Sequence, residues 1–223
     1  MGMGYDGDAD RIGIVDEKGT LVYGDQLLGA LSKPLLKKRV GSQVLFDVKC
    51  SQGLAEWIEE LGGKPVMWKT GHSLLKAKMK EIKCPIAGEM SGHIFIADNY
   101  YGFDDAIFVS ARFYELVSKT DKKVSEIIKE MPYYENTPEI RTDVTEDSKW
   151  KIVEDVREHF NKEYDTIEID GVRILFDDGW GLVRASNTQP VIVTRFEAKT
   201  KSRLNEIKNL VHNFIDEKRR NYS

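Results

Sequence analysis

Apolar residues recur along this chain with two different periods, and the order in which the periods alternate outlines a fold. Residues 12–15 form a short apolar run that Glu17-Lys18-Gly19 turns back. From residue 24 to 40, Leu27, Leu28, Leu31, Leu35 and Leu36 fall at helical spacing, which predicts an amphipathic helix kinked at Pro34. A buried strand is predicted at 44–46, then a helix from Ser51, a natural N-cap, to a stop at Gly62-Gly63. Another strand follows at 65–68 and a helix from Ser73 to Ile82. Strands at 85–87 and 93–97 lead into a long amphipathic helix over 104–119. Strands alternating with helices imply an α/β layer on a mostly parallel sheet.

The pattern breaks between Lys119 and Pro138, where charged and turn-forming residues include Met131-Pro132 and Thr137-Pro138. A domain boundary is expected there. Beyond it come a strand at 139–144, a helix at 148–160, strands near 166–169, 172–176, 181–185 and 191–197, and a terminal helix. Consecutive strands flanked by helices read as α+β. Trp57, Trp68, Trp150 and Trp180 read as packing residues, and Lys37-Lys38-Arg39 and Lys218-Arg219-Arg220 as solvated helix ends favoured by the helix dipole.

Composition narrows the classes. In 223 residues, 41% hydrophobic and 10% aromatic content is enough for packed cores. A net charge of −4 advertises no basic face, so nucleic acid is not the expected partner. No apolar run approaches the roughly 18 residues of a membrane span, and the first ten residues lack a signal peptide's apolar core. Cys50 and Cys84 fit no disulfide framework or zinc spacing. A soluble cytoplasmic protein is expected.

The chemistry collects in loops. Asp6, Asp8 and Asp10 offer hard oxygen ligands suited to Mg²⁺, and Arg11 could clamp phosphate beside the metal. A calcium loop is the alternative, since Asp6, Asp8, Asp10 and Glu17 occupy its positions 1, 3, 5 and 12. Arg11 replaces the glycine that such a loop requires, and strand rather than helix follows. Only five residues precede Asp6, which leaves no room for a supporting strand, and the loop is expected to move. In open α/β sheets, ligands bind beyond the carboxyl ends of the strands. Residues 47–50, 69–72 and 88–93 each follow a predicted strand of one sheet. Lys49 is either a partly buried acid/base group or a snorkelling lysine. Glu89 and Ser91 could bind sugar hydroxyls, or sit in a turn that merely needs Gly88 and Gly92. Arg184, Ser186, Asn187 and Thr188, with free backbone N–H groups, form either a phosphate cradle or a polar hairpin turn. His72 and His93 lie in the candidate loops; His159 and His212 sit on predicted helices, without an assigned role.

Five motifs in this order resemble the α-D-phosphohexomutases, and among them the bacterial phosphomannomutase/phosphoglucomutase group: DGDADR (6–11), FDVKC (46–50), MWKTGH (67–72), GEMSGH (88–93) and RASNTQP (184–190). The resemblance covers nearly the whole chain. It implies a mixed, mostly parallel α/β/α sandwich domain over 23–125, preceded by the end of another domain at 1–22. A smaller α+β domain, like that of the TATA-box-binding protein, would follow over 135–223. It also implies interconversion of hexose 1- and 6-phosphates of mannose and glucose, with Mg²⁺ as cofactor and glucose 1,6-bisphosphate as activator. In that mechanism a phosphoserine donates its phosphoryl group, and the bisphosphorylated sugar reorients before returning the other phosphate.

By position, Asp6, Asp8 and Asp10 would hold the metal, and Arg11 would contact the phosphoserine. Lys49 and His72 would handle protons. Glu89, Ser91 and His93 would meet the sugar, and Arg184, Ser186, Asn187 and Thr188 its remote phosphate. GEMSGH favours hexose phosphates over the glucosamine phosphates of a related group, whose loop more often reads GEQSGH. No serine here stands in the family's TASHNP-like context; Ser73 and Ser91 only imitate it. The chain is therefore expected to match the carboxy-terminal part of the family, to bind hexose phosphates weakly and to be inactive without an N-terminal half. A phosphoglucosamine mutase and a non-catalytic sugar-phosphate-binding module are the alternatives.

Overall fold

A strand does precede the acidic loop. In the computed structural model, which describes residues 1–222, β1 (Gly2–Tyr5) pairs antiparallel with β2 (Ile12–Val15), and β2 with β3 (Leu21–Val22). The expectation of an unsupported loop is thus corrected: residues 6–11 close a hairpin. The alternating glycines of Gly2-Met3-Gly4-Tyr5 give no strand signal, and pairing with β2 supplies what propensity lacks. Ile12, Ile14 and Val22 join the same core as the following helix, so this small sheet belongs to the first of two compact units, Met1–Tyr133.

α1 (Gly24–Lys38) buries Leu27, Leu28, Leu31, Leu35 and Leu36 along one face. Each contributes roughly 1.5–3 kcal/mol by leaving water. Pro34 is accommodated inside the helix, which runs on to its lysine-rich last turn. β4 (Gln43–Asp47) is buried from Val44 onward, and it lies between β5 (Lys64–Trp68) and β6 (Ile86–Gly88), parallel to both. β7 (Ile94–Ile96) returns antiparallel to β6, giving the order β5-β4-β6-β7.

α2 (Gln52–Glu60) starts at Ser51, whose Oγ accepts from Gly53 N at 3.0 Å. α3 (His72–Glu81) begins one residue before the expected Ser73. α4 (Ala106–Ser118) is capped by Asp105, and α5 (Val124–Ile128) occupies the stretch that reads as a linker. Val44 and Phe46 pack in one core with α1, α2 and α4, while Leu45 packs in another with Leu75 and Met79 of α3. Period-two alternation along a doubly covered strand gives an α/β/α sandwich.

The second unit begins at Tyr134. β8 (Glu135–Asn136) and β9 (Ile140–Asp143) both pair with β13 (Val191–Ala198). β10 (Thr166–Ile167), β11 (Val172–Phe176) and β12 (Gly179–Ala185) complete an antiparallel sheet in the order β10-β11-β12-β13-β8. α6 (Glu146–Phe160) and α7 (Lys201–Asn221) bury Ile152, Val156, Phe160, Leu204, Ile207 and Val211 against one face of it. Residues of the other face include Arg173, Trp180, Arg195 and Glu197, all buried; the Arg173 guanidinium stacks 3.7 Å from the Trp180 ring. Trp150, expected as a packing residue, is exposed and lies under the Lys149 ammonium instead. Among the described residues no helix is long and apolar enough to cross a membrane.

Glu17 does not close a calcium loop. It accepts from the Ser125 hydroxyl and, at 3.3 Å, from its amide, tying the β2–β3 turn to α5. These bonds hold its carboxyl down at about 2, from an ordinary 4.5. A carboxyl so depressed stabilises the fold above its unfolded value and loses that contribution as pH falls toward 2. Glu17→Gln is therefore expected to lower the chemical-denaturation midpoint at pH 7, with the gap to the parent closing between pH 4.5 and pH 2.

Candidate active site

The site of the first unit grows from the ends of β4, β5 and β6. After β6 the chain must leave a buried strand and return as β7 within a few residues, and Glu89 takes its carboxylate into the interior as it does so. Glu89 is 3% exposed. Its Oε1 accepts from Gly71 N at 2.7 Å, while its Oε2 accepts from Ser91 Oγ at 2.8 Å and lies 2.8 Å from His93 Nδ1. Burial raises the Glu89 carboxyl, but the bonds from His93, Ser91 and Gly71 outweigh it and hold the group below its usual range. The His93 ring, which burial alone would push down, is raised by Glu89 and Asp10. Its Nε2 stands 3.3 Å from Asp10 Oδ2.

The acidic loop reaches this loop by backbone pairing. Arg11 and His93 form an antiparallel bridge, and Ile12 N donates to Gly92 O at 3.2 Å. Gly92 has φ +100, and a Cβ there would lie 2.6 Å from Ile12 O, so only glycine allows the approach. Ala9, at φ 57, turns the acidic loop, and its carbonyl accepts from Ala106 N at the start of α4. Asp6 accepts from Arg11 N at 3.1 Å and from Arg11 Nε at 2.6 Å, and this pairing holds its carboxyl at about 2. Oxygens of Asp6, Asp8 and Asp10 lie within 4.8 Å of one another. Three carboxylates at that spacing suit a hard cation such as Mg²⁺.

Lys49 and His72 come to the same edge of the sheet. The Lys49 side chain is 9% exposed, with Nζ 3.8 Å from Asp47 Oδ2. His72 is exposed, stacks on His93 with ring centroids 5.4 Å apart, and places Nδ1 3.2 Å from Asp104 Oδ2. Arg11 points its guanidinium at Asp6 and stays half exposed. The loops at 47–50, 69–72 and 88–93 thus converge, as adjacency of β4, β5 and β6 requires.

Two further residues of this site are not evident as such in the sequence. Asp47, fully buried, accepts from Cys50 Sγ at 3.0 Å, Thr70 Oγ1 at 3.1 Å and Met90 N at 3.3 Å, and so links all three loops. Burial raises its carboxyl, with Lys49 acting in the opposite direction. Its signal was an acid continuing a buried apolar run. Asp104 receives Lys76 Nζ at 2.8 Å, and nothing in the sequence marks it.

In the second unit, Arg184 at the end of β12 is oriented by Asp170, with Nη2 3.1 Å from Oδ2. Ser186 N donates to Val191 O, and Ser186 Oγ accepts from Thr188 N and Gln189 N. These amides are therefore engaged within the loop, contrary to the free N–H groups expected, because the serine closes the turn on itself. The loop presents the exposed Asn187 and Thr188 beside the Arg184 guanidinium. The Lys149 ammonium, on a side chain 1% exposed, donates to Ser186 O at 2.7 Å and Gln189 O at 3.3 Å. A lysine in line with Ile152, Val156 and Phe160 on the buried stripe of α6 was the available clue.

The phosphoglucomutase/phosphomannomutase α/β/α domain III model matches residues 23–134, and the C-terminal domain model matches residues 139–213. The chain belongs to the phosphoglucomutase/phosphomannomutase family. A phosphomannomutase/phosphoglucomutase of Pseudomonas putida is 46% identical over 94% of the chain and 46% of its own length. A phosphoglucomutase of Neisseria gonorrhoeae is 41% identical over the same shares. A solved structure of a phosphoglucomutase/phosphomannomutase family protein from Burkholderia thailandensis aligns with TM-score 0.89 at 38% identity, over 97% of the chain and 46% of that protein. The chain spans about half the length of the curated family members it matches.

Gly92→Ala is expected to cost about 2–4 kcal/mol in urea denaturation, from the disfavoured φ and the clash with Ile12 O. Gly13→Ala, into open space, should change it by less than about 0.5 kcal/mol. Lys149→Met removes the donor from two loop carbonyls and should cost about 2–4 kcal/mol, with faster hydrogen exchange at Gln189 and Val191.

Proposed function

We propose that this chain carries the metal-, sugar- and phosphate-binding elements of a phosphomannomutase/phosphoglucomutase. The reaction is the interconversion of hexose 1- and 6-phosphates of mannose and glucose through a bisphosphate, with glucose 1,6-bisphosphate as activator. One observation carries the reading: a buried carboxylate, two stacked imidazoles, a lysine and three clustered aspartates meet at one sheet edge.

Asp6, Asp8 and Asp10 hold Mg²⁺, which when bound neutralises charge on a transferring phosphoryl group. Arg11, anchored by Asp6, offers its outer N–H groups to phosphate oxygens. Glu89, fixed from within by Gly71, Ser91 and His93, is set to accept from sugar hydroxyls. Lys49 and His72 are placed to hold and release a proton at a hydroxyl, each beside a carboxylate. Arg184, Ser186, Asn187 and Thr188 bind the phosphate that does not react. Phosphoryl transfer depends on positioning and charge neutralisation more than on covalent chemistry from the protein, and rigidly held polar groups meet that need.

Titration calorimetry with Mg²⁺ tests the reading. Mannose 6-phosphate and glucose 6-phosphate should bind, and Arg184→Ala should weaken both by roughly 10- to 100-fold, the worth of a charge-assisted hydrogen bond. Asp8→Ala should weaken Mg²⁺ while leaving the Arg184 contribution intact. Binding of glucosamine 6-phosphate in preference to both would favour the phosphoglucosamine class. Failure of every hexose phosphate to bind would overturn the proposal.

A further inference from the structure

The His93 ring is held in an arrangement that the sugar-binding role does not account for. Its Nδ1 faces the buried Glu89 carboxylate at 2.8 Å, which fixes that nitrogen as the protonated one. The other ring nitrogen, Nε2, points at acids. Asp10 Oδ2 is 3.3 Å away, and atoms of Asp10, His93 and Asp104 all lie within 4.8 Å of one another. A ring nitrogen among carboxylate oxygens calls for a cation between them, either a proton or a metal ion.

Three further observations favour a metal. Asp10 Oδ1 and Asp104 Oδ2 are buried oxygens that accept no hydrogen bond, and the Asp104 side chain is 8% exposed. The other oxygen of Asp104 is taken by Lys76 at 2.8 Å, so Oδ2 is turned inward, with His72 Nδ1 3.2 Å from it. Second, a carboxylate on one ring nitrogen with a ligand position at the other is the usual environment of a metal-bound histidine. Third, the 3.3 Å between Nε2 and the Asp10 oxygen equals the edge of a tetrahedron with bonds of roughly 2.0 Å, the length of zinc bonds to nitrogen and oxygen. The backbone sets all three ligands in place: Arg11, next to Asp10, bridges to His93, and Asp104 bridges to Phe95 of β7.

We propose that Asp10, His93 and Asp104 form a second metal site, selective for a borderline divalent ion such as Zn²⁺, with the fourth position left to water or to His72. Imidazole suits zinc, cobalt and nickel, whereas Mg²⁺ strongly prefers oxygen. Asp10 is common to this site and to the three-aspartate loop, so the two ions antagonise each other. The inference rests on the geometry of the first unit and not on the mutase reading.

The test is Zn²⁺ binding to the 223-residue chain in millimolar Mg²⁺, by competition with a chromophoric chelator, together with ¹⁵N–¹H spectra of the imidazoles. One Zn²⁺ is expected to bind, shifting Nε2 of His93 while Nδ1 keeps its proton. His93→Gln and Asp104→Asn should each weaken Zn²⁺ by at least tenfold, in line with the roughly 10- to 100-fold loss typical of disturbing a metal histidine's surroundings. Asp8→Asn, which touches only the three-aspartate loop, should weaken Mg²⁺ without weakening Zn²⁺, because the antagonising ion is lost. Zinc affinity that follows Asp8 and ignores His93 would place the ion in the aspartate loop and overturn the proposal. So would a Zn²⁺-induced shift at His159 or His212 without one at His93. If a variant fails to fold, the imidazole spectrum of the parent chain decides alone, and an unperturbed His93 Nε2 rejects the site.

Discussion

The first unit depends on one buried carboxylate finding enough partners. A carboxylate at 3% exposure is strongly destabilising unless its lone pairs are satisfied, and Glu89 satisfies them from three directions. An amide from the loop after β5, a hydroxyl from its own loop and an imidazole from the start of the β7 segment all converge on it. Each partner is fixed in turn. The ring of His93 cannot rotate without uncovering the acid, and with the ring fixed, Nε2 must face Asp10. The orientation of the three-aspartate loop therefore rests on the contacts that fix the His93 ring. Ile12 and Gly92 hold the backbones close enough for this, through a hydrogen bond that only a glycine permits.

Asp47 does for the strand ends what Glu89 does for the loop. Its carboxylate accepts from a thiol, a hydroxyl and an amide, one from each of three successive loops, and it keeps a lysine 3.8 Å away. Neighbouring acids of one site thus live in opposite conditions. Burial pushes Asp47 up, whereas the Arg11 guanidinium pulls the solvent-facing Asp6 down to about 2. Such a division sets a carboxyl that burial favours protonated beside one that its ion pair keeps charged.

The second unit solves a simpler problem. Its problem is an exposed polar loop, and exposed loops move. Here the loop after β12 is pinned from below by the Lys149 ammonium and closed on itself by Ser186, while Asp170 aims Arg184. The charged reader is buried to its guanidinium, and only Asn187 to Pro190 are left in solvent. The antiparallel sheet, with β12 paired along its length to β13, supplies the rigidity.

Periodicity alone located the helices over Leu27–Leu36 and Ile152–Phe160 and the strands around Phe46, Ile174 and Val193, because burial of one face leaves its spacing in the order of residues. Motif chemistry singled out Asp6, Asp8, Asp10, Glu89, His93 and Arg184 as candidates, since hard ligands and phosphate readers need particular side chains close together along the chain. The strand of Gly2–Tyr5 was invisible because its stability comes from the partner strand and not from its own residues. Asp47, Asp104 and Lys149 were equally hidden as parts of a site. Each acts on residues 23 or more positions away in sequence, on segments that only the packing of parallel strands, or of a helix on a sheet, brings within hydrogen-bond reach. The sequence by itself determined which residues are chemically able; the tertiary structure decided which of them share a proton, a carboxylate or an ion, because those interactions depend on distance and burial that local order does not encode.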